Sequence, residues 1–122
     1  MIGYVTLGTN DIQRAAKFYD ALLGEIGAKR WMEGDRFVAW AVSPSQPSLG
    51  VIMPFDQKAA TVGNGVMVAL VVQTKEQVDK LYHKAIALGA TDEGPAGPRG
   101  QGFYAGYFRD LDGNKLNFFC MV

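Results

Sequence analysis

The sequence predicts an α+β fold built from two copies of one β-α-β-β-β module, and three observations carry that expectation. Two stretches, "YVTLGTNDIQRAAKFYDALLG" from Tyr4 and "MVALVVQTKEQVDKLYHKAIALG" from Met67, each read as a short strand running into an amphipathic helix. They superimpose at a constant offset: Tyr4 meets Met67, Leu7 meets Leu70, Asp11 meets Thr74, Ala15 meets Val78 and Tyr19 meets Tyr82. Each helix is followed by strand-like runs separated by turn residues, so the chain reads as an internal duplication with eight strands and two helices.

In the first helix Ile12, Ala15, Ala16, Tyr19, Leu22 and Leu23 recur at helical spacing. Asp11 or Asn10 can cap its first turn, and Gly24 can end its last. The second helix opens on a capping box, Thr74 with Gln77. Its apolar stripe is Val78, Leu81, Tyr82, Ala85 and Ile86, and Gly89 punctuates its end. Strands are expected at "EIGAKRW", "RFVAWAV" and "LGVIM" in the first half. In the second half they are expected near Ala90 to Glu93, at "GFYAGYFRD" and at "KLNFFCM".

"DLDGN" is a hairpin turn, because Asp-Gly tolerates the positive φ that a tight turn needs. It resembles the start of a calcium loop but lacks the rest of that motif, including its closing glutamate. The segment "EGPAGPRGQGFY" reads as a loop by its Pro and Gly content. It is either a lid whose Arg99 and Gln101 reach a ligand or a plain crossover with polar tips.

At 122 residues the chain is long enough for one core and short for two independent domains. It is read as a single domain, 1–122, with modules at about 1–54 and 65–122 joined by a polar linker at about 55–64. Twelve basic residues balance twelve acidic ones, so no global field draws in nucleic acid or an anionic membrane. No apolar run is long enough to span a bilayer, and no basic leader opens the chain, which reads as cytoplasmic. Cys120 has no partner for an internal disulfide, and its apolar neighbours make it a buried packing thiol. His83, between the apolar stripe and the charged face of its helix, is a surface histidine rather than a ligand.

These motifs resemble the vicinal oxygen chelate superfamily of glyoxalase I, bleomycin-resistance proteins and extradiol dioxygenases. "VTLGTNDIQRAAKFYDALLG" is similar to the family's first strand and its Phe-Tyr-x-x-x-Leu-Gly helix, and "FRDLDGNKLNFF" to its Phe-x-Asp-Pro-Asp-Gly-Asn ending. The resemblance implies a cup-shaped, partly open eight-stranded mixed sheet with the helices outside. In metal-dependent relatives, inward His, Gln or Glu side chains on the first and last strands of each half hold a divalent ion. At those positions this chain has Tyr4, Met67, Asn117 and, by a less secure alignment, Gly50. Strand alternation supports the facing: if Val5 and Leu7 lie beneath the first helix, Tyr4 and Thr6 point away from it. Likewise Val68 and Leu70 beneath the second helix leave Met67 and Ala69 in the cup.

A phenol, a thioether and a neutral amide are a poor donor set for zinc, iron or manganese, so no metal or other cofactor is expected. A divalent ion would need a displaced site, using Glu25, Glu33, Asp35 or Glu93, which read more simply as solvated strand ends and turns. The expected function is to bind a small, partly aromatic or apolar molecule, with Tyr4, Thr6, Met67, Arg99, Gln101, Asn117 and Phe119 as ligand-binding residues. The alternative is a glyoxalase-like lyase or isomerase, or a ring-cleaving dioxygenase. It would use a displaced metal or metal-free acid/base chemistry with Tyr4 as the catalytic candidate. The resemblance also implies a homodimer.

Overall fold

A computed structural model of the chain describes residues 1–122. In order, its elements are β1 (Tyr4–Gly8), α1 (Ile12–Gly24), β2 (Lys29–Gly34), β3 (Phe37–Ala41), β4 (Ser48–Ile52), β5 (Val68–Val71), α2 (Lys75–Ala87), β6 (Thr91–Pro98), β7 (Phe103–Arg109) and β8 (Lys115–Met121). The chain divides into two compact units, Met1–Thr61 and Val62–Val122, and each holds one β-α-β-β-β module.

Capping chemistry sets where the helices begin. Asp11 is extended, and its carboxylate accepts the Arg14 N–H at 3.0 Å. In α2 the Thr74 hydroxyl accepts the Gln77 N–H at 3.1 Å while the Gln77 side chain accepts the Thr74 N–H at 3.1 Å, so the expected capping box is formed. Gly89, at φ +106°, lets Ala90 and Gly89 donate back to Ala85 and Ile86, which satisfies carbonyls at the end of α2. The first helix departs from expectation. Gly24 remains helical, and Gly27 at φ +81° takes the left-handed position, with the Ala28 N–H returning to the Leu23 carbonyl. Residues 25–27 are therefore turn, and the strand expected from Glu25 starts only at Lys29.

In the first unit the strand order is β1-β4-β3-β2, with β1 parallel to β4 and the other pairs antiparallel. The second unit repeats it as β5-β8-β7-β6. Each is an open, four-stranded mixed sheet with its helix against one face. In the first unit Ala15, Phe18, Tyr19, Leu22 and Leu23 of α1 are buried together with Leu7, Val38, Trp40, Leu49 and Val51 of the sheet. Asp20 ties α1 to this sheet: its carboxylate accepts from Arg30 at 2.9 and 2.7 Å and from the Trp40 indole at 2.8 Å. The Arg30 hydrogen bond holds the Asp20 carboxyl below the usual carboxylate range.

In the second unit Val78, Leu81, Tyr82 and Ala85 of α2 are buried, as are Phe108, Leu116, Phe118 and Cys120 of the sheet. Gly106 sits directly under Tyr82, where an added Cβ would come 3.0 Å from three atoms of that side chain. Cys120 is a buried free thiol, and His83 is exposed on α2.

The segment expected as one long loop, "EGPAGPRGQGFY", is mostly strand. β6 runs through Pro98, and only residues 99–102 form the turn into β7. The physical reason is its place at the sheet edge, where an outward N–H is not needed and Pro is tolerated. Its pairing with β7 slips on either side of Gly94, which is how a Gly/Pro-rich segment stays in a ladder. "DLDGN" is a plain turn: Gly113 has φ +86°, and the buried Asp110 carboxylate accepts the N–H groups of Asp112 and Asn114, both at 2.9 Å.

Candidate functional site

Each sheet has a second face, turned away from its helix, and the ladders fix which side chains it carries. In the second unit one row across that face reads Ala69 (β5), Asn117 (β8), Tyr107 (β7) and Gly94 (β6). The next reads Val71, Phe119, Ala105 and Gly97, and the last pairs Met121 with Phe103. The rings of Phe103 and Phe119 stack with centroids 5.2 Å apart, giving this face an aromatic wall.

Asn117 is 1% exposed, and neither its amide nitrogen nor its amide oxygen has a hydrogen-bond partner. A buried polar atom left unsatisfied costs about 1–3 kcal/mol, a penalty that a bound partner would remove. Beside it, the Tyr107 ring carries two cations: the Arg99 guanidinium at 5.4 Å from its centroid and the Lys115 ammonium at 5.7 Å. The neighbouring acid, Glu93, is taken by Arg109, whose hydrogen bond holds the Glu93 carboxyl below its ordinary range.

Of the residues singled out from the sequence, Asn117, Phe119 and Arg99 therefore meet on one face around Tyr107. Met67 lies one residue before β5 and is 40% exposed. Gln101 stands in the β6–β7 turn with φ +52°, exposed and away from this row of the ladder. Tyr4 and Thr6 belong to the first unit, on the face of its sheet opposite α1. Tyr4 is 68% exposed.

The register also aligns the two modules. Thr6 faces Gly50 across β1 and β4, as Ala69 faces Asn117 across β5 and β8, so Gly50 is the counterpart of Asn117. At Gly50 an added Cβ would come 2.9 Å from the Phe37 ring, which fills the space a longer side chain would need. The positions where the family resemblance implies metal ligands thus supply an exposed phenol, a thioether, a neutral amide and no side chain at all. These residues do not fit a divalent ion. The acids weighed for a displaced site are dispersed: Glu33 bonds Arg30 at 2.8 Å, Glu93 bonds Arg109, and no three His, Cys, Asp or Glu side chains group as a metal site.

Sequence reasoning did not place Tyr107, Lys115 or Phe37 at a site. Two-residue alternation from Asn117 reaches Lys115, and register against "KLNFFCM" reaches Tyr107, but only once the β7–β8 pairing is known. A further concavity, about 690 Å³, lies on the helix side of the first unit between α1 and the β2–β3 hairpin. Ile12, Ala16 and Val38 line it together with Lys17, Glu33 and Asp35. Asp20 and Arg30, which also line it, pair with each other.

The chain matches the family model of the Glyoxalase/Bleomycin resistance protein/Dioxygenase superfamily over residues 1–118. Among solved structures it is similar to a glyoxalase/bleomycin resistance protein from Albidiferax ferrireducens T118, with 32% identity and a TM-score of 0.91. That match covers 100% of this chain and 99% of the other. A glyoxalase/bleomycin resistance protein/dioxygenase family enzyme from Burkholderia phytofirmans PsJN shares the fold at 23% identity and TM-score 0.80, covering 98% of each chain. The lactoylglutathione lyase of Agrobacterium tumefaciens shares it at 19% identity and TM-score 0.74, covering 98% of this chain and 92% of that one. No curated protein matches. The duplicated β-α-β-β-β modules, the match along nearly the whole chain and the close structural relative together establish that the chain belongs to the glyoxalase/bleomycin resistance protein/dioxygenase superfamily.

Proposed function

We propose that this chain binds a small, partly aromatic molecule on the open sheet face of its second unit and does so without a metal ion. The observation that carries this reading is Asn117, a buried amide with no partner at the centre of a face walled by Tyr107, Phe103 and Phe119. An apolar wall with a few unspent hydrogen-bonding groups is the usual make-up of a small-molecule site. The donor chemistry at Tyr4, Gly50, Met67 and Asn117 supports the absence of a metal, since a chelating site needs converging imidazole, carboxylate or carbonyl donors.

A thermal-shift screen of small aromatic compounds on chelator-treated protein tests the reading, with Asn117→Leu as the control. We expect compounds that raise the Tm of the wild type and leave the variant unmoved. Stabilisation only after a divalent metal is added, or equal stabilisation of both proteins, would overturn it.

The reading extends to a homodimer, because Val71 at 69% and Tyr4 at 68% exposure leave apolar side chains bare on otherwise sheet-forming segments. Light scattering should give twice the chain mass, and a single chain mass would contradict this. No helix is long and apolar enough to cross a membrane. The free thiol of Cys120 agrees with a cytoplasmic setting.

A further inference from the structure

Resting on that reading of the second unit's open face, we infer that its ligand is an organic anion, a planar aromatic carboxylate. Arg99 serves as the carboxylate clamp and Asn117 as a second anchor. The evidence is the way Arg99 is held. From the turn after β6 its side chain folds back along that strand: Nη2 donates to the Pro95 carbonyl at 2.5 Å and Nη1 to the Pro98 carbonyl at 3.3 Å. Two glycines make room for it. An added Cβ at Gly94 would come 3.3 Å from Nη2, and one at Gly97 would come 3.3 Å from Nη1. The "GPAGPRG" run, which reads as loop composition, is thus a cradle for a guanidinium.

Arg30 and Arg109 each sit on carboxylates, whereas Arg99 is fixed by two carbonyls and an aromatic face and has no counter-charge. A guanidinium has five N–H donors, and these two bonds leave three unspent. A planar cation with its rotamer already fixed and donors to spare suits bidentate capture of a carboxylate. Lys115 adds a second positive charge over the same Tyr107 ring. The Phe103–Phe119 stack offers an apolar seat for the body of the ligand. Asn117 supplies both a donor and an acceptor. A ligand that satisfies it carries a hydroxyl or N–H as well as an oxygen acceptor.

Isothermal titration with 6-hydroxy-2-naphthoate and 6-hydroxy-2-naphthamide, which both carry a hydroxyl for Asn117 and differ in charge at similar shape, tests this inference. Wild-type protein should bind the carboxylate about ten-fold or more tightly than the amide, the size of one charge-assisted clamp. Arg99→Gln should abolish that preference while the naphthamide affinity holds. Gly97→Ala keeps the charge but brings a Cβ to 3.3 Å from Nη1, so the guanidinium must shift by a few tenths of an ångström, and the preference should shrink. Circular dichroism and Tm verify that both variants remain folded. Equal binding of the two probes by wild type, or a preference that survives Arg99→Gln, overturns the anion inference and leaves the broader ligand reading standing. If neither probe binds although the aromatic screen yields ligands, this inference alone fails. If the screen is also empty, both fail.

Discussion

Asn117 concentrates the physical tension of the molecule in one side chain. Its amide is buried and unpartnered, on a row with Ala69, Tyr107 and Gly94. Removing an unsatisfied buried group by an apolar replacement of similar shape is neutral or stabilising. Asn117→Leu should therefore raise the free energy of unfolding by about 1 kcal/mol in urea titrations while ligand binding is lost. A destabilised variant would mean that the amide is structurally needed. Tyr82 makes a contrasting case, a polar group fully accounted for. Burial first, and then its 2.6 Å hydrogen bond to Asp92, raise its phenol to about 12 from an ordinary 10.0. Between those values the unfolded chain has released this proton and the folded chain still holds it, so stability falls as pH rises from about 10 to about 12. Tyr82→Phe should flatten that decline and cost about 1 kcal/mol at neutral pH, measured by urea unfolding across the pH range. At this scale the sequence revealed Asn117, because an amide among Leu116, Phe118 and Phe119 is conspicuous. It did not reveal the Arg99 cradle, because a side chain folding back from a turn over the preceding strand depends on backbone positions that composition does not encode.

Elements were legible where local chemistry determines them. The capping box at Thr74 and Gln77 formed as read, and Thr74→Ala should cost about 1 kcal/mol, seen as a lowered Tm. The apolar stripes of both helices are buried, except that Ile12 and Ile86 are only half-buried, and Phe18, outside the expected stripe, is buried with them. The misreadings came where tertiary context overrides composition. β6 is strand despite its Pro and Gly because it is an edge with register slips, and Gly27 rather than Gly24 turns the chain after α1. Gly106 is another tertiary constraint invisible in the sequence: it reads as a weak spot in a strand but is the point where α2 rests on β7. Gly106→Ala should lift Tyr82 off the sheet and destabilise the fold by about 1–3 kcal/mol, whereas the same change at exposed Gly34, where a Cβ meets nothing, should cost far less. Chemical denaturation of the two variants side by side decides this.

For the whole molecule, the duplication was the most legible feature, because repeated strand and helix patterns at a constant offset survive large changes in individual side chains. The ladders repeat it strand for strand, down to Gly50 and Asn117 at equivalent registers. The fold of this superfamily is thus kept, and at the positions where the resemblance implies ligands a ring fills the space at one, Gly50, and an unpartnered amide stands at another, Asn117. That contrast is the centre of the functional reading, and metal content tests it most directly. Elemental analysis by plasma mass spectrometry of protein purified without chelators should find Fe, Mn, Ni and Zn all far below one per chain. One tightly held divalent ion per chain would contradict the account.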